Sequence, residues 1–265
     1  MHLFVARILF SFAVLVLALL PAAAQDLKER KIGVVLMHGK WGAPNTRFFY
    51  KLEHALESAG VVVEKPEMPW SGRRNYDAGY EGAMKDIDNA VAKLKAKGAS
   101  RIVVGGHSFG GNGGGGYGAT RDGLTGIFAI APGHVPDGNV MRASFANDVA
   151  HAKQLAAAGK DDDIAFKDPN VGKIEGKRAK ASVFLSYFDP EGPAAMFKNA
   201  AMTRPNTPVL WVVAKTDPLF NVGKAIYGKV PAHPKNRYAE VEGGHMEAPG
   251  NSVEIVLDWL KAITD

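Results

Sequence analysis

The chain has no cysteine among its 265 residues. Disulfides, lipid attachment at a cysteine and a thiol nucleophile are excluded at once. A chain of this length does without cross-links, because its core is large relative to its surface. Charge bias is also lacking: the formal net charge is +5, and the excess is spread along the chain. Without a basic stripe interleaved with aromatics, nucleic-acid binding has no support. Internal repeats and low-complexity linkers are absent, and the 46% hydrophobic content suits one globular domain. Long apolar runs are scarce as well. The marked one covers residues 8–20, preceded by Arg7, ended by Pro21, and followed by Ala22-Ala23-Ala24 before Gln25. It is short of the roughly 20 apolar residues of a membrane span and lacks a basic stop-transfer cluster. Residues 1–24 therefore read as a cleaved secretory signal peptide rather than an anchor. The expectation is an exported protein, periplasmic or secreted, with no stable membrane insertion after cleavage and a domain over 25–265.

From residue 31 two kinds of segment alternate. Apolar runs at 32–37, 61–63, 101–104, 125–131, 207–214 and 237–241 read as strands. Segments 44–59, 80–97 and 252–263 carry apolar residues at helical spacing, as with Met84, Ile87, Val91 and Leu94. Such alternation predicts an α/β fold, a mainly parallel sheet with helices on both faces. Chemistry is then expected just beyond the carboxyl ends of the strands. Residues 134–205 break the pattern and are expected to form a mostly helical insertion or lid over the sheet edge.

Gly106-His107-Ser108-Phe109-Gly110 follows the third strand and precedes an expected helix. A serine at a very sharp strand-to-helix turn needs glycines two positions either side, so that neighbouring chain can pass without a Cβ clash. The helix start then aims backbone N–H groups at developing negative charge. In a chain with 30 glycines the pentapeptide alone is weak; its place after a buried strand is what selects Ser108 as nucleophile. Gly111-x-Gly113-x-x-Gly116 overlaps it and matches a dinucleotide fingerprint, but no acidic residue ends the next strand, Phe128-Ala129-Ile130-Ala131.

A serine nucleophile needs a base, and histidine suits. His245 follows the last strand in Glu242-Gly243-Gly244-His245-Met246, at the carboxyl edge. The orienting acid is expected at Asp217, in Lys215-Thr216-Asp217-Pro218 after the fifth strand; Asp189, inside the insertion, is its competitor. Oxyanion donors are expected from the Phe109 amide and from the Gly39-Lys40-Trp41-Gly42 loop, first the amide of Lys40 and then that of Trp41. His38, Trp70 and Tyr187 are candidates to line a substrate pocket, although core packing is the commoner role for such side chains. Arg73 and Arg74 could draw an anionic substrate group or simply be solvated. No histidine–carboxylate cluster has metal spacing, since His233 and His245 are loop residues twelve apart.

With LMHGKWG, GGHSFGG, AKTDP and EGGHM in this order, residues 31–265 resemble the α/β-hydrolase superfamily. The resemblance implies the α/β-hydrolase fold and an acyl-enzyme mechanism through Ser108, His245 and Asp217, with no cofactor. It is similar to small bacterial esterases. A dienelactone hydrolase would carry cysteine where Ser108 stands, and the dehalogenase and epoxide-hydrolase branches an aspartate. The expected reaction is hydrolysis of a small-molecule carboxylic ester. A peptidase or amidase on the same three residues, with Glu191 as a candidate amine subsite, remains an alternative, as does a non-catalytic binding protein of this fold.

Overall fold

The computed structural model describes residues 27–265; the expected leader lies outside them. Six strands form one sheet in the order β2-β1-β3-β4-β7-β8, and every pairing is parallel. They are β1 (Ile32–Met37), β2 (Val62–Glu64), β3 (Arg101–His107), β4 (Gly126–Ile130), β7 (Val209–Ala214) and β8 (Arg237–Val241). β1, β4 and β7 are buried at every position. This is why they read as unbroken apolar runs rather than as alternating ones.

Side chains of successive strand residues enter two separate cores. Val34 and Leu36 join Leu52 and Leu56 of α1 (Tyr50–Ser58) and Trp259 and Leu260 of α10 (Val253–Thr264). Val35 and Met37 join Met84 and Ile87 of α2 (Tyr80–Ala96) and Phe109 of α3 (Phe109–Thr120). Helices thus cover both faces, as the alternating pattern predicts. The segment 44–59 is helical only in its second part: a 3-10 turn, Arg47–Phe49, precedes α1.

The glycine-rich start of α3 has a packing cause. A Cβ on Gly110 would collide with the Met37 carbonyl, one on Gly116 with the Tyr80 ring, and one on Gly118 with Ile127. Gly114 lies against Gly105 of β3, where an added Cβ would sit 3.1 Å from the Gly105 Cα. Glycine after glycine lets this helix approach the sheet at backbone distance. The bare dinucleotide match at 111–116 therefore marks helix–sheet contact.

The insertion departs from the helical expectation. It contains α4 (Asn139–Ser144), α5 (Ala146–Ala157), α6 (Ala181–Phe188) and α7 (Met196–Met202), but also an antiparallel hairpin, β5 (Asp163–Asn170) with β6 (Lys173–Lys180). Ile164, Phe166 and Asp168 alternate inward along β5. A period of two is a strand signal that the surrounding lysines and alanines obscure. Phe166 packs against Phe184 and Phe188, each pair with ring centroids 4.9 Å apart. Between β7 and β8 lies α8 (Phe220–Tyr227), and a short helix, α9 (Ala248–Asn251), precedes α10.

Candidate active site

Ser108 ends β3 and caps α3 with φ 56° and ψ −120°. This is a left-handed setting that a side-chain-bearing residue adopts only under constraint. The constraint is visible. The Ser108 amide donates to the Ile130 carbonyl at 3.0 Å, and Gly106 and Gly110 press on the Met37 carbonyl, where a Cβ could not fit. A Cβ on Gly39 would lie 2.9 Å from the Ser108 Cβ, and one on Gly133 would lie 3.0 Å from its Oγ. Glycine at these positions keeps the hydroxyl uncovered.

His245 and Asp217 arrive from the ends of β8 and β7. The His245 Nδ1 donates to Asp217 Oδ2 at 2.6 Å, and Asp217 Oδ1 accepts the Leu219 amide at 2.8 Å. With Nδ1 so engaged, the other ring nitrogen is left to accept a proton. A point 3.0 Å from Ser108 Oγ and 3.8 Å from His245 Cε1 exists at the Gly133 Cβ position, so hydroxyl and imidazole share one small volume. Among the described residues no hydrogen bond joins Ser108 Oγ to His245; such bonds are commonly long in a free enzyme and tighten when substrate arrives. Asp189 is elsewhere, paired with Lys153 at 2.8 Å.

His107, the residue before the serine, is a neighbour that the motif alone does not explain. Its ring lies 4.6 Å from that of His245, and its Nε2 is 2.8 Å from the His245 carbonyl oxygen. Burial, aided by the nearby His245, pushes its pKa down to about 3. A neutral His107 therefore donates from Nε2 and holds the loop that carries His245.

The amides of Phe109 and Lys40 donate to no backbone carbonyl among the described residues, and both residues line the cavity above Ser108. Trp41 differs from expectation. Its amide donates to the Trp70 carbonyl at 2.8 Å, so it is not free to meet an oxyanion. The three expected pocket residues are also corrected. His38 accepts the Met68 amide at Nε2 (3.1 Å) and faces the Gly39 carbonyl with Nδ1 (2.8 Å). Trp70 donates from Nε1 to the His38 carbonyl at 2.9 Å and stacks on Phe109 at 4.5 Å. Tyr187 donates to the Ala78 carbonyl at 2.9 Å. All three are fully buried and lie outside the cavity lining. Core packing won because the polar atoms of all three are spent on backbone groups and their rings are covered by neighbouring segments.

A second cluster lies beside the serine. Asp168 of β5 is buried and receives Lys40 Nζ at 2.5 Å, Trp41 Nε1 at 3.0 Å and the Tyr76 hydroxyl at 2.7 Å. Burial pulls the Lys40 ammonium below its ordinary pKa, against the attraction of Asp168. The insertion is thereby tied to the loop bearing the Lys40 amide. Sequence reasoning missed Asp168, although a carboxylate in phase with Ile164 and Phe166 is a signal of a buried partner. It also missed His134, which lines the cavity, stacks on Phe109 at 3.9 Å and is 2.8 Å from the Tyr187 carbonyl. Burial, then the Lys40 charge, holds His134 well below its ordinary pKa.

The cavity measures about 1020 Å³. Ser108, His245 and Leu219 are at its base, and Val140, Val171 and Ile174 are at its mouth. Arg73 and Arg74 are not in it; they pair with Glu67, Asp77 and Asp86. Among the described residues no group of three or more histidine or acidic side chains is placed to hold a metal ion.

Comparison with known proteins gives three findings. The model of a family described as "Alpha/beta hydrolase family" matches residues 34–255. A search of curated proteins found no match. Solved structures similar to this chain include one reported under LipS and LipT, two metagenome-derived lipolytic enzymes (18% identity, 88% of this chain and 93% of that one, TM-score 0.60). Another is a monoacylglycerol lipase of Paleococcus ferrophilus (21% identity, 88% and 94%, TM-score 0.61). A third is Est1E of Butyrivibrio proteoclasticus with ferulic acid bound (17% identity, 87% and 86%, TM-score 0.58). At such identities the likeness is one of fold.

Proposed function

The chain belongs to the alpha/beta hydrolase family, and from that premise we propose that it hydrolyses carboxylic esters through an acyl-enzyme on Ser108. One observation carries the reading. The 2.6 Å bond from His245 to Asp217 stands over a strained serine at the base of a largely apolar cavity. His245 Nε2 takes the Ser108 proton as Oγ attacks the acyl carbonyl, and Asp217 stabilises the imidazolium. The resulting alkoxide is met by the Phe109 and Lys40 amides, each worth roughly 3–4 kcal/mol of barrier lowering. The imidazolium then protonates the departing alkoxide. Water, deprotonated by the same histidine, releases the acid and restores Ser108. No step calls for a cofactor.

The cavity volume is at the upper end of the roughly 300–1,000 Å³ usual for small-molecule sites, which favours a bulky or long apolar acyl group. The neighbours named as lipolytic enzymes and a monoacylglycerol lipase support an ester rather than an amide. The peptidase alternative loses its candidate subsite, because Glu191 pairs with Arg142 at 3.3 Å and lies outside the cavity lining.

A fluorophosphonate should label the parent protein and leave Ser108→Ala unlabelled. A panel of p-nitrophenyl esters against aminoacyl p-nitroanilides should show turnover of the esters. A folded parent that neither labels nor turns over any ester would return the chain to the binding-protein reading. Export is part of the proposal: the N-terminus of the mature chain is expected at Gln25, and a mature chain beginning at Met1 would refute cleavage.

A further inference from the structure

Six large apolar side chains are exposed among the described residues. Three of them, Val140 (80% exposed), Val171 (58%) and Ile174 (68%), share the mouth of the cavity. Scattered exposed apolar residues need no explanation, but a group ringing one opening does. Turn chemistry does not supply it. Val171 and Gly172 connect β5 to β6 with φ of 43° and 75°. A two-residue turn with both φ positive favours asparagine, aspartate or glycine at its first position, and a β-branched residue is strained there. The valine is held at the tip against local preference.

The outer face of the hairpin has a charge pattern to match. In the strand register Lys167 faces Gly176, Ala165 faces Arg178, and Asp163 faces Lys180, all on the side away from the buried Ile164 and Phe166. Pro169 and Ile174 complete that face next to the tip; Lys173, opposite Asn170, is exposed on the other side of the tip together with Glu175. Lys167, Lys173 and Arg178 have no ion-pair partner among the described residues. The one carboxylate on the outer face, Asp163, is at the far end. A basic strip thus leads to an apolar point beside the opening. The hairpin is fixed in this pose through the buried Asp168 on its inner face.

We propose that this rim docks on an anionic lipid surface. Val171, Ile174 and Val140 enter the acyl boundary, and Lys167 and Arg178 of the outer face meet the headgroups. Unpaired cations complement anionic headgroups, while the apolar tip requires a phase that buries it; a soluble polyanion would satisfy only the first. Docking turns the mouth of the cavity toward the lipid, so that an apolar ester passes to Ser108 without crossing water. That last consequence rests on the ester-hydrolase reading; the docking itself does not.

The chain's lack of cysteine makes the test specific to one site. Val171→Cys and Lys95→Cys, the latter at the end of α2 beside the amino end of β1 and away from the cavity mouth, are each labelled with NBD in a Ser108→Ala background. Vesicles of phosphatidylglycerol and phosphatidylcholine are added. The Val171 label is expected to shift to the blue and the Lys95 label to stay unchanged. Lys167→Gln with Arg178→Gln should weaken partition by roughly 25-fold, about fivefold for each charge removed. An unshifted Val171 label overturns the proposal, as does an equal shift on pure phosphatidylcholine. So does a shift that grows with protein concentration without vesicles, which would identify a second copy as the occupant. Fluorophosphonate labelling of the parent reports the reaction separately, so the two readings fail independently.

Discussion

Asp168→Asn keeps an oxygen acceptor for Trp41 Nε1 and Tyr76 while removing the charge that neutralises Lys40. The Lys40 side chain is 6% exposed and that of Asp168 is 0% exposed, so the ammonium would be left buried and unpaired. Leaving one member of a buried ion pair unpaired costs about 3–5 kcal/mol. Against a total stability of roughly 5–15 kcal/mol, that is a large fraction. The strain has one obvious outlet: Lys40 also lines the cavity, so its loop can shift to wet the ammonium, and its amide shifts with it. Losing one oxyanion donor lowers kcat by about 10²–10³. KM should change little, because the amide acts on charge that develops only in the transition state. Urea unfolding and ester kinetics measure the two effects. The decisive variant is Lys40→Met combined with Asp168→Asn, in which neither charge remains. It should recover at least half of the lost stability and most of the lost kcat. If Asp168→Asn costs under about 1 kcal/mol, or the double variant is no better than the single one, the tie between hairpin and oxyanion loop is refuted.

Three further outcomes follow from the geometry. His107 is neutral when folded and protonates once unfolded, so the stability it confers is complete above its unfolded pKa and is lost as pH falls toward about 3. The loss reaches roughly 2 kcal/mol by pH 5 from this group alone. Urea midpoints at pH 7 and pH 5 should differ less in His107→Asn than in the parent, and equal differences would refute the buried neutral state. Asp217→Asn should lower kcat by about 10⁴ and Asp189→Asn should leave it near the parent value; the reverse order in ester kinetics would reassign the acid. A Cβ on Gly115 meets nothing within 4 Å, whereas one on Gly116 meets the Tyr80 ring. Thermal unfolding should therefore show Gly115→Ala stabilised by up to about 1 kcal/mol and Gly116→Ala clearly destabilised.

The parallel sheet and the pairing of His245 with Asp217 near Ser108 were legible because both are written locally. The buried strands β1, β4 and β7 are continuous apolar runs, and Ser108, Asp217 and His245 each stand within four residues of a strand's carboxyl end. The hairpin was not legible, because its inward period of two runs through only Ile164, Phe166 and Asp168 amid lysines that suit a helix equally well. His38, Trp70 and Tyr187 were assigned to the pocket on residue type, yet whether an aromatic side chain faces a cavity or a core depends on what packs over it. Trp41 failed for a similar reason: its amide is consumed by Trp70, which is 29 residues away in sequence. Asp168 shows the limit most clearly, since its partners Lys40, Trp41 and Tyr76 come from segments that meet only in the folded chain.

The glycines of α3 bear on when the site comes into being. The helix has seven glycines among twelve residues, and at about 1 kcal/mol each relative to alanine it has no tendency to form alone. It exists only because β1, β3, Trp70 and Tyr80 receive it at backbone distance. In the unfolded or partly folded chain Ser108 therefore precedes a disordered stretch, with no helix start to aim amides at a carbonyl. The strained turn at Ser108 and the finished core appear in the same cooperative event. Amide exchange along α3 should then follow global unfolding, and no half-assembled chain should be labelled by a fluorophosphonate at Ser108.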